Sequence, residues 1–235
     1  ERTEPPGCHV DFRFAIGWRW IISDTSNLVI FHDSLLPRYR GFAPLVNALI
    51  NGEKEIGVTA LRASEHYDCG DIISQKSLSI EYPLKIEDAI AKIAPLYTEI
   101  LFDICKTIIS KQTINTYSQD QKNASYSPWR NELDYSVDWN KSAEYIARFI
   151  DAVGYPYKGA KTTANGECVR VLDCKVVKDV QVEARLEHIG KILFMHSDLP
   201  IVICGEGLLQ LTNIVDIEGT PLIGRLPFRT RFGSY

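Results

Sequence analysis

The sequence predicts an α/β domain followed by a small all-β domain. Three observations carry this. Over the first 110 residues, apolar runs alternate with amphipathic helical stretches, as strands and helices do in open α/β sheets. A polar, irregular stretch over residues 112–131 then interrupts the pattern. From Ala160 to Ile217, short apolar runs are separated by Asn165-Gly166, Ser197-Asp198 and Gly205-Glu206-Gly207, the punctuation of a small barrel or sandwich.

Residues 1–10 form a polar, proline-containing lead-in. Phe12 to Ile16 reads as a buried strand ended by Gly17, and Trp18 to Ile22 as a loop or the start of a short helix. Leu28 to Phe31 is the second strand, and it runs directly into His32. Residues Ala43 to Asn51 have helical spacing, with Pro44 suited to the first turn and Gly52 to the C-terminal cap. Ile56 to Ser64 and Asp71 to Ile80 are expected to pair as a hairpin across a turn-rich loop. The longest helix is expected over Ile86 to Ser110, with Pro95 kinking or splitting it. Residues 112–131 are the expected linker. Asn140 is the expected N-cap of a third helix that buries Ile146, Phe149 and Ile150 and is broken by Gly154 to Gly159. Apolar runs at 168–177, 191–195, 200–204 and 208–215 supply the strands of the β domain. The expected division is residues 1–125 and 126–235, the latter comprising linker, helix and small β domain. So few parallel strands lead us to expect further residues upstream of the first.

Composition narrows the function. At 45% hydrophobic and 24% charged residues, the chain is an ordinary globular one, and its net charge is −4. A partner held by broad phosphate neutralisation would call for a basic face, so nucleic acid is not expected. Six cysteines, at positions 8, 69, 105, 168, 174 and 204, form no CxxC pair. They read as reduced thiols of a cytoplasmic protein rather than as a disulfide framework or zinc site. No apolar run approaches the ~18 residues of a membrane span, so no membrane partner is expected.

Two stretches carry chemistry. His32 stands at the carboxyl end of a strand, where open α/β sheets place functional groups, and an imidazole can trade a proton near neutral pH. Taken alone it reads first as a histidine capping a strand and bonded to backbone. The acidic loop His66-Tyr67-Asp68-Cys69-Gly70-Asp71 has the composition of an ordinary turn. If the two meet across the top of the sheet, the carboxylate fixes the imidazole tautomer and raises its basicity. There is no GxSxG elbow, P-loop or GxGxxG, and no metal-ligand spacing.

In order along the chain stand His-x-Ser-Leu-Leu-Pro-x-x-Arg-Gly (His32 to Gly41), Asn51-Gly52-Glu53, Gly57-Val58-Thr59 and Asp68-x-Gly70-Asp71-Ile72. This set resembles the formyltransferases that use N10-formyltetrahydrofolate. Phe14 to Trp18 resembles the strand and loop before the motif. Asp138 to Glu144 and Cys204 to Gly207 resemble the C-terminal domain of two-domain members. The resemblance implies a Rossmann-like formyltransferase domain followed by a small barrel-like, OB-like domain. It implies catalytic roles for His32 and Asp68. On the folate side it implies Leu35, Leu36, Pro37, Arg40 and Gly41 and the segments around Trp18, Trp20, Ile22 and Ser64, with His66 and Asp71 of the acidic loop counted among them. One departure stands out. The family's oxyanion-donating asparagine is replaced by Ile30, so Ser34 or a backbone N–H is the expected substitute donor. Asp33 also stands where proline is common.

The acceptor is expected to be the primary amine of a nucleotide-linked amino sugar, because the chain most resembles bacterial sugar N-formyltransferases of the pseudaminic-acid-pathway type. From Ser136 onward, moreover, acidic and basic residues balance. Ser34, Tyr126, Trp129 and Arg130 are the candidate acceptor contacts, and a homodimer is left open. The alternatives are a methionyl-tRNA formyltransferase, a formyltetrahydrofolate hydrolase and a non-catalytic binding module.

Overall fold

The computed structural model describes residues 10–18 and 22–233. It divides into two compact units. The first comprises Glu1–Ala48, Lys54–Ile80 and Ile90–Trp129; the second comprises Leu49–Glu53, Glu81–Ala89 and Arg130–Tyr235. The elements in chain order begin with β1 (Arg13–Ala15), β2 (Leu28–His32), β3 (Arg40–Gly41), α1 (Pro44–Ile50), β4 (Glu55–Arg62) and β5 (Ile72–Ser79). There follow α2 (Ile86–Ile109) and β6 (Tyr126–Ser127).

The first unit is built on a four-stranded sheet in the order β1-β2-β4-β5. Only β1 and β2 are parallel; β4 is antiparallel to both β2 and β5, and β4–β5 is the expected hairpin. Apolar residues cover both faces of β2, with Leu28, Val29 and Phe31 all buried. That double burial is why the strand reads as a continuous apolar run. Helix α2 buries Ile93, Ile100 and Ile104 and stacks Tyr97 on Phe31, ring centroids 5.6 Å apart. Pro95 does not split it: the helix is continuous from Ile86 to Ile109. One backbone bond is lost at the proline, and burial of an isoleucine face on both sides outweighs it.

Residues 112–129 are not a linker. Tyr126–Ser127 pairs in parallel with Arg40–Gly41, Tyr117 exchanges backbone bonds with Ile72, and Gln119 is buried. Gln119 and Gln121 accept from Arg40 and Ser125 accepts from Tyr39 N–H, pairings that composition cannot reveal.

The second unit contains α3 (Ala143–Ala152), β7 (Ala160–Ala164), β8 (Glu167–Val177), α4 (Arg185–His188), β9 (Ile192–His196), β10 (Leu199–Ile203), β11 (Leu208–Asp216) and β12 (Phe232–Gly233). Its six-stranded antiparallel sheet runs β12-β7-β8-β11-β10-β9. The sheet curls into a half-barrel whose two ends meet, with Lys191 bridging Arg231 and Phe232 N–H donating to Gly190 O at 2.7 Å. Trp139 is buried inside it, donates to Thr162 Oγ1 at 2.9 Å and packs on Phe232. Strand β7 sets Lys161, Thr162 and Thr163 between two alanines, too weak an apolar signal to stand out in the sequence. Ser142, not Asn140, caps α3, accepting from Tyr145 N–H at 3.2 Å; Asn140 is engaged with Asp138. Among the described residues no helix is long and apolar enough to cross a membrane.

Candidate active site

His32 ends β2 and is buried, with each ring nitrogen facing an oxygen. Its Nε2–H donates to the carbonyl of Tyr39 at 2.8 Å, and Nδ1 lies 3.5 Å from Asp68 Oδ2. The Tyr39 carbonyl thus selects the tautomer with the proton on Nε2 and leaves the Nδ1 lone pair turned to a carboxylate.

The backbone that presents these groups is bent. Tyr39 has φ +61° and is pinned by its N–H to Ser125 Oγ at 2.9 Å; Asp68 has φ +53°. Each left-handed residue stores on the order of 1 kcal/mol or more. Gly41 (φ +96°) donates its N–H to Asp68 Oδ2 at 2.7 Å, and a Cβ there would lie 2.8 Å from Ser127 O. At Gly70 a Cβ would fall 1.8 Å from Arg62 O, so only glycine lets the Asp68 loop close over β4.

Gln119 locks that loop. Its Nε2 donates to Asp68 O and Gly70 O, both at 2.7 Å, and its Oε1 accepts from Arg40 Nε at 3.0 Å and Nη2 at 2.7 Å. Arg40 completes the network through Gln121 Oε1 and Tyr126 Oη. On the other side, Thr59 of β4 donates to Ser34 O at 2.6 Å and accepts from Leu36 N–H, while Gln75 donates to both Thr59 Oγ1 and Leu36 O. Thr59 was marked only as part of the Gly57-Val58-Thr59 motif, and neither Gln119, Gln75 nor the Tyr39 carbonyl stood out in the sequence, since a polar residue in a polar stretch carries no mark of burial.

Several sequence expectations need correction. Ser34 cannot supply an oxyanion donor or an acceptor contact, because it is buried and its hydroxyl donates to Arg38 O at 2.7 Å. Leu36 is core, packed with Leu61, Ile72 and Ile30. Arg40 is 1% exposed and committed to the network above, so it braces the site rather than touching a cofactor. Asp71 accepts from Ser118 Oγ at 3.0 Å, and Arg130 lies in the second unit, donating to Asp134 O. Trp18 is exposed, Leu35, Pro37 and Ile22 are half-buried, and the turn from Ser64 to Tyr67 is exposed beside Asp68. Trp20 lies outside the described residues.

Asp33 adds a second carboxyl beside His32. Its Oδ1 is buried without a hydrogen-bond partner among the described residues. Burial pushes this carboxyl above its usual range, and the His32 charge opposes the shift. Next to Asp68 and Gly41 a cavity of about 460 Å3 opens, walled by Phe42, Tyr67, Tyr126 and Trp129. Among the described residues, no cluster of three histidine, cysteine or acidic side chains could hold a metal.

Comparison with known proteins places this geometry. A family model described as formyl transferase matches residues 14–104, and one described as formyl transferase, C-terminal domain, matches residues 131–226. The methionyl-tRNA formyltransferase of Lactococcus lactis subsp. lactis is 33% identical over 203 residues, covering 86% of this chain and 62% of that protein. The chain therefore spans about three fifths of the length of the curated relatives it matches. An N-formyltransferase from Helicobacter canadensis, solved with folinic acid and dTDP-3-aminofucose, superposes with a TM-score of 0.66 at 17% identity, covering 85% of this chain and 72% of that one. HypX from Aquifex aeolicus, solved with tetrahydrofolic acid, gives a TM-score of 0.61 at 19% identity, covering 81% of this chain and 32% of that one. At such identities these two likenesses speak for the fold.

Proposed function

The chain belongs to the formyl transferase family, both of whose domains it carries, and from that premise we propose that it transfers a formyl group from N10-formyltetrahydrofolate to a primary amine. The observation that carries the proposal is the buried His32, held between the Tyr39 carbonyl and the Asp68 carboxylate. Bound folate would supply an activated formyl carbon. The donor set fits such a group: the exposed Ser64–Tyr67 turn offers backbone polar groups beside Asp68, and Trp18 offers an exposed ring face.

The chain's own residues handle the protons. The attacking amine sheds a proton, and the buried His32–Asp68 pair is the base that takes it up, Nδ1 and Oδ2 lying 3.5 Å apart to share it. Asp68 then faces an imidazolium at 3.5 Å and stabilises it. The imidazolium in turn would steady the negative charge on the formyl oxygen and, as the new C–N bond to the amine replaces the one to the donor nitrogen, return its proton to that departing nitrogen. Ile30 contributes no donor, since its side chain packs on Leu36, Leu61 and Ile72. No covalent bond to the chain is required.

Two acceptors carry such an amine near a nucleotide. Methionyl-tRNA is supported by the Lactococcus relative, a methionyl-tRNA formyltransferase. A nucleotide-linked amino sugar is supported by charge: the chain carries a net −4, which gives no electrostatic drive toward a tRNA backbone. Labelled formyl donor offered with methionyl-tRNA and with UDP- and dTDP-linked amino sugars separates the two. Label in one acceptor assigns it. Release of formate without any acceptor, or binding without turnover, would refute formyl transfer.

A further inference from the structure

We propose that Asp33 is a positioning residue for the reacting histidine, a carboxyl that acts on the charge of His32 from within the protein and not on a bound substrate. The inference rests on the formyl-transfer reading above and adds a second carboxyl to its proton handling.

Around His32 the neighbouring polar side chains are engaged, with one exception. Ser34 donates to Arg38 O at 2.7 Å, Thr59 donates to Ser34 O at 2.6 Å, and Asp68 Oδ2 accepts from Gly41 N–H at 2.7 Å. Asp33, between His32 and Ser34, is half-buried, and its enclosed Oδ1 has no hydrogen-bond partner among the described residues. A carboxyl oxygen shut away from both water and donors destabilises the fold. An apolar side chain would fill the same space without that cost, so charge is what sets a carboxyl apart there. Among the described residues, His32 is the charged group that acts on it.

The two groups are therefore coupled. Burial favours the neutral acid at Asp33, and positive charge on His32 favours the carboxylate. Such coupling is reciprocal, so an Asp33 carboxylate favours imidazolium at His32 to the same degree. His32 is faced by Asp33 from its own strand end, by Asp68 at 3.5 Å from the loop between β4 and β5, and by the uncharged Tyr39 carbonyl from the turn before β3. With Asp33 ionised, the imidazolium answers to two carboxylates; with Asp33 neutral, to one. Removing the Asp33 charge makes the His32–Asp68 pair a weaker base. It takes the amine proton less readily, and a lower pH is needed before protonation blocks it. A residue that only shaped the turn would not move that pH.

The pH profile of formyl transfer by Asp33→Asn and Asp33→Ala, which remove the charge with and without the side chain's shape, tests this. In both variants kcat is expected to fall about three- to tenfold and the acid limb of the profile to move about one pH unit lower, with both KM values within about twofold of wild type. An acid limb that stays in place in both variants would overturn the proposal and leave formyl transfer standing. A second measurement needs no turnover and no change at position 33. In the full chain labelled with 13C at the aspartate carboxyls, the Asp33 resonance, identified by its loss in Asp33→Asn, is expected to titrate above the usual carboxylate range and to move to still higher pH in His32→Gln. An Asp33 resonance indifferent to His32→Gln would overturn the coupling whether or not the chain transfers formyl.

Discussion

Replacing Gln119 with leucine should unseat Asp68 without touching it. The glutamine makes four hydrogen bonds of 2.7–3.0 Å, two to the carbonyls of Asp68 and Gly70 and two from the guanidinium of Arg40. The first two are neutral and together contribute about 2 kcal/mol. The second pair matters more, because Arg40 is 1% exposed and a leucine would leave its Nε–H and Nη2 without an acceptor. Adding that desolvation penalty brings the loss to about 3–5 kcal/mol, a fall in Tm on the order of 10 °C for a chain of this size. Gln119→Glu separates the two halves of the role. It keeps an acceptor for Arg40 but sets a carboxylate against the carbonyls of Asp68 and Gly70. Stability should then be largely retained while kcat falls and the acceptor KM changes little. Urea unfolding followed by tryptophan fluorescence, with kcat and KM for formyl transfer, gives both quantities. A Gln119→Leu protein within ~1 kcal/mol of wild type, the worth of a single hydrogen bond, with unchanged kcat, would refute the clamp.

Four further outcomes follow from the same geometry. His32→Ala and Asp68→Asn are each expected to lower kcat by about a hundredfold or more; in Asp68→Asn the amide oxygen can still accept from Gly41 N–H, so circular dichroism should be unchanged, and near-wild-type turnover in either variant would refute the proton-transfer assignment. Asp151 is buried, and burial raises its carboxyl to about 6, with Lys85 opposing and Asp173 and Asp88 reinforcing the shift. Because the folded pKa lies above the unfolded one, this group destabilises progressively as pH rises from about 4 to about 6, by about 3 kcal/mol once ionised. Asp151→Asn should therefore raise Tm at pH 7 and flatten the stability profile between about pH 4 and about pH 6; a larger pH dependence in the variant would contradict the assignment. Ile30→Asn should cost about 2 kcal/mol or more by placing an amide on the Leu36–Leu61–Ile72 cluster, read as a lower urea midpoint. Gly70→Ala should yield little folded protein, since its Cβ would overlap Arg62 O, and normal expression with a native melting curve would show that the loop can move.

The sequence was most legible where burial and periodicity coincide. Leu28 to Phe31, the β4–β5 hairpin and the isoleucine stripe of α2 read correctly because a buried face leaves an apolar pattern in the chain. Asn165-Gly166 and Gly205-Glu206-Gly207 marked the β domain for a similar local reason, since turns need residues that tolerate positive φ. By type and position alone His32 and Asp68 read as an ordinary strand-end histidine and turn aspartate, and only the ordered motifs around them singled the two out together.

Tertiary structure decided what polar residues do. Arg40, Ser34 and Gln119 are polar letters in solvent-like surroundings of sequence, yet all three are buried and fully engaged. Their partners lie as much as 86 residues away, as from Arg40 to Tyr126, and no local pattern encodes a pairing over that distance. Only the fold turned residues 112–129 from an expected linker into the brace of the active loop and set the Tyr39 carbonyl against His32 Nε2. Apolar burial writes a periodic signal into the chain because it follows the helix or strand repeat. Hydrogen-bond satisfaction follows contacts in space, and so it is written only in the folded structure.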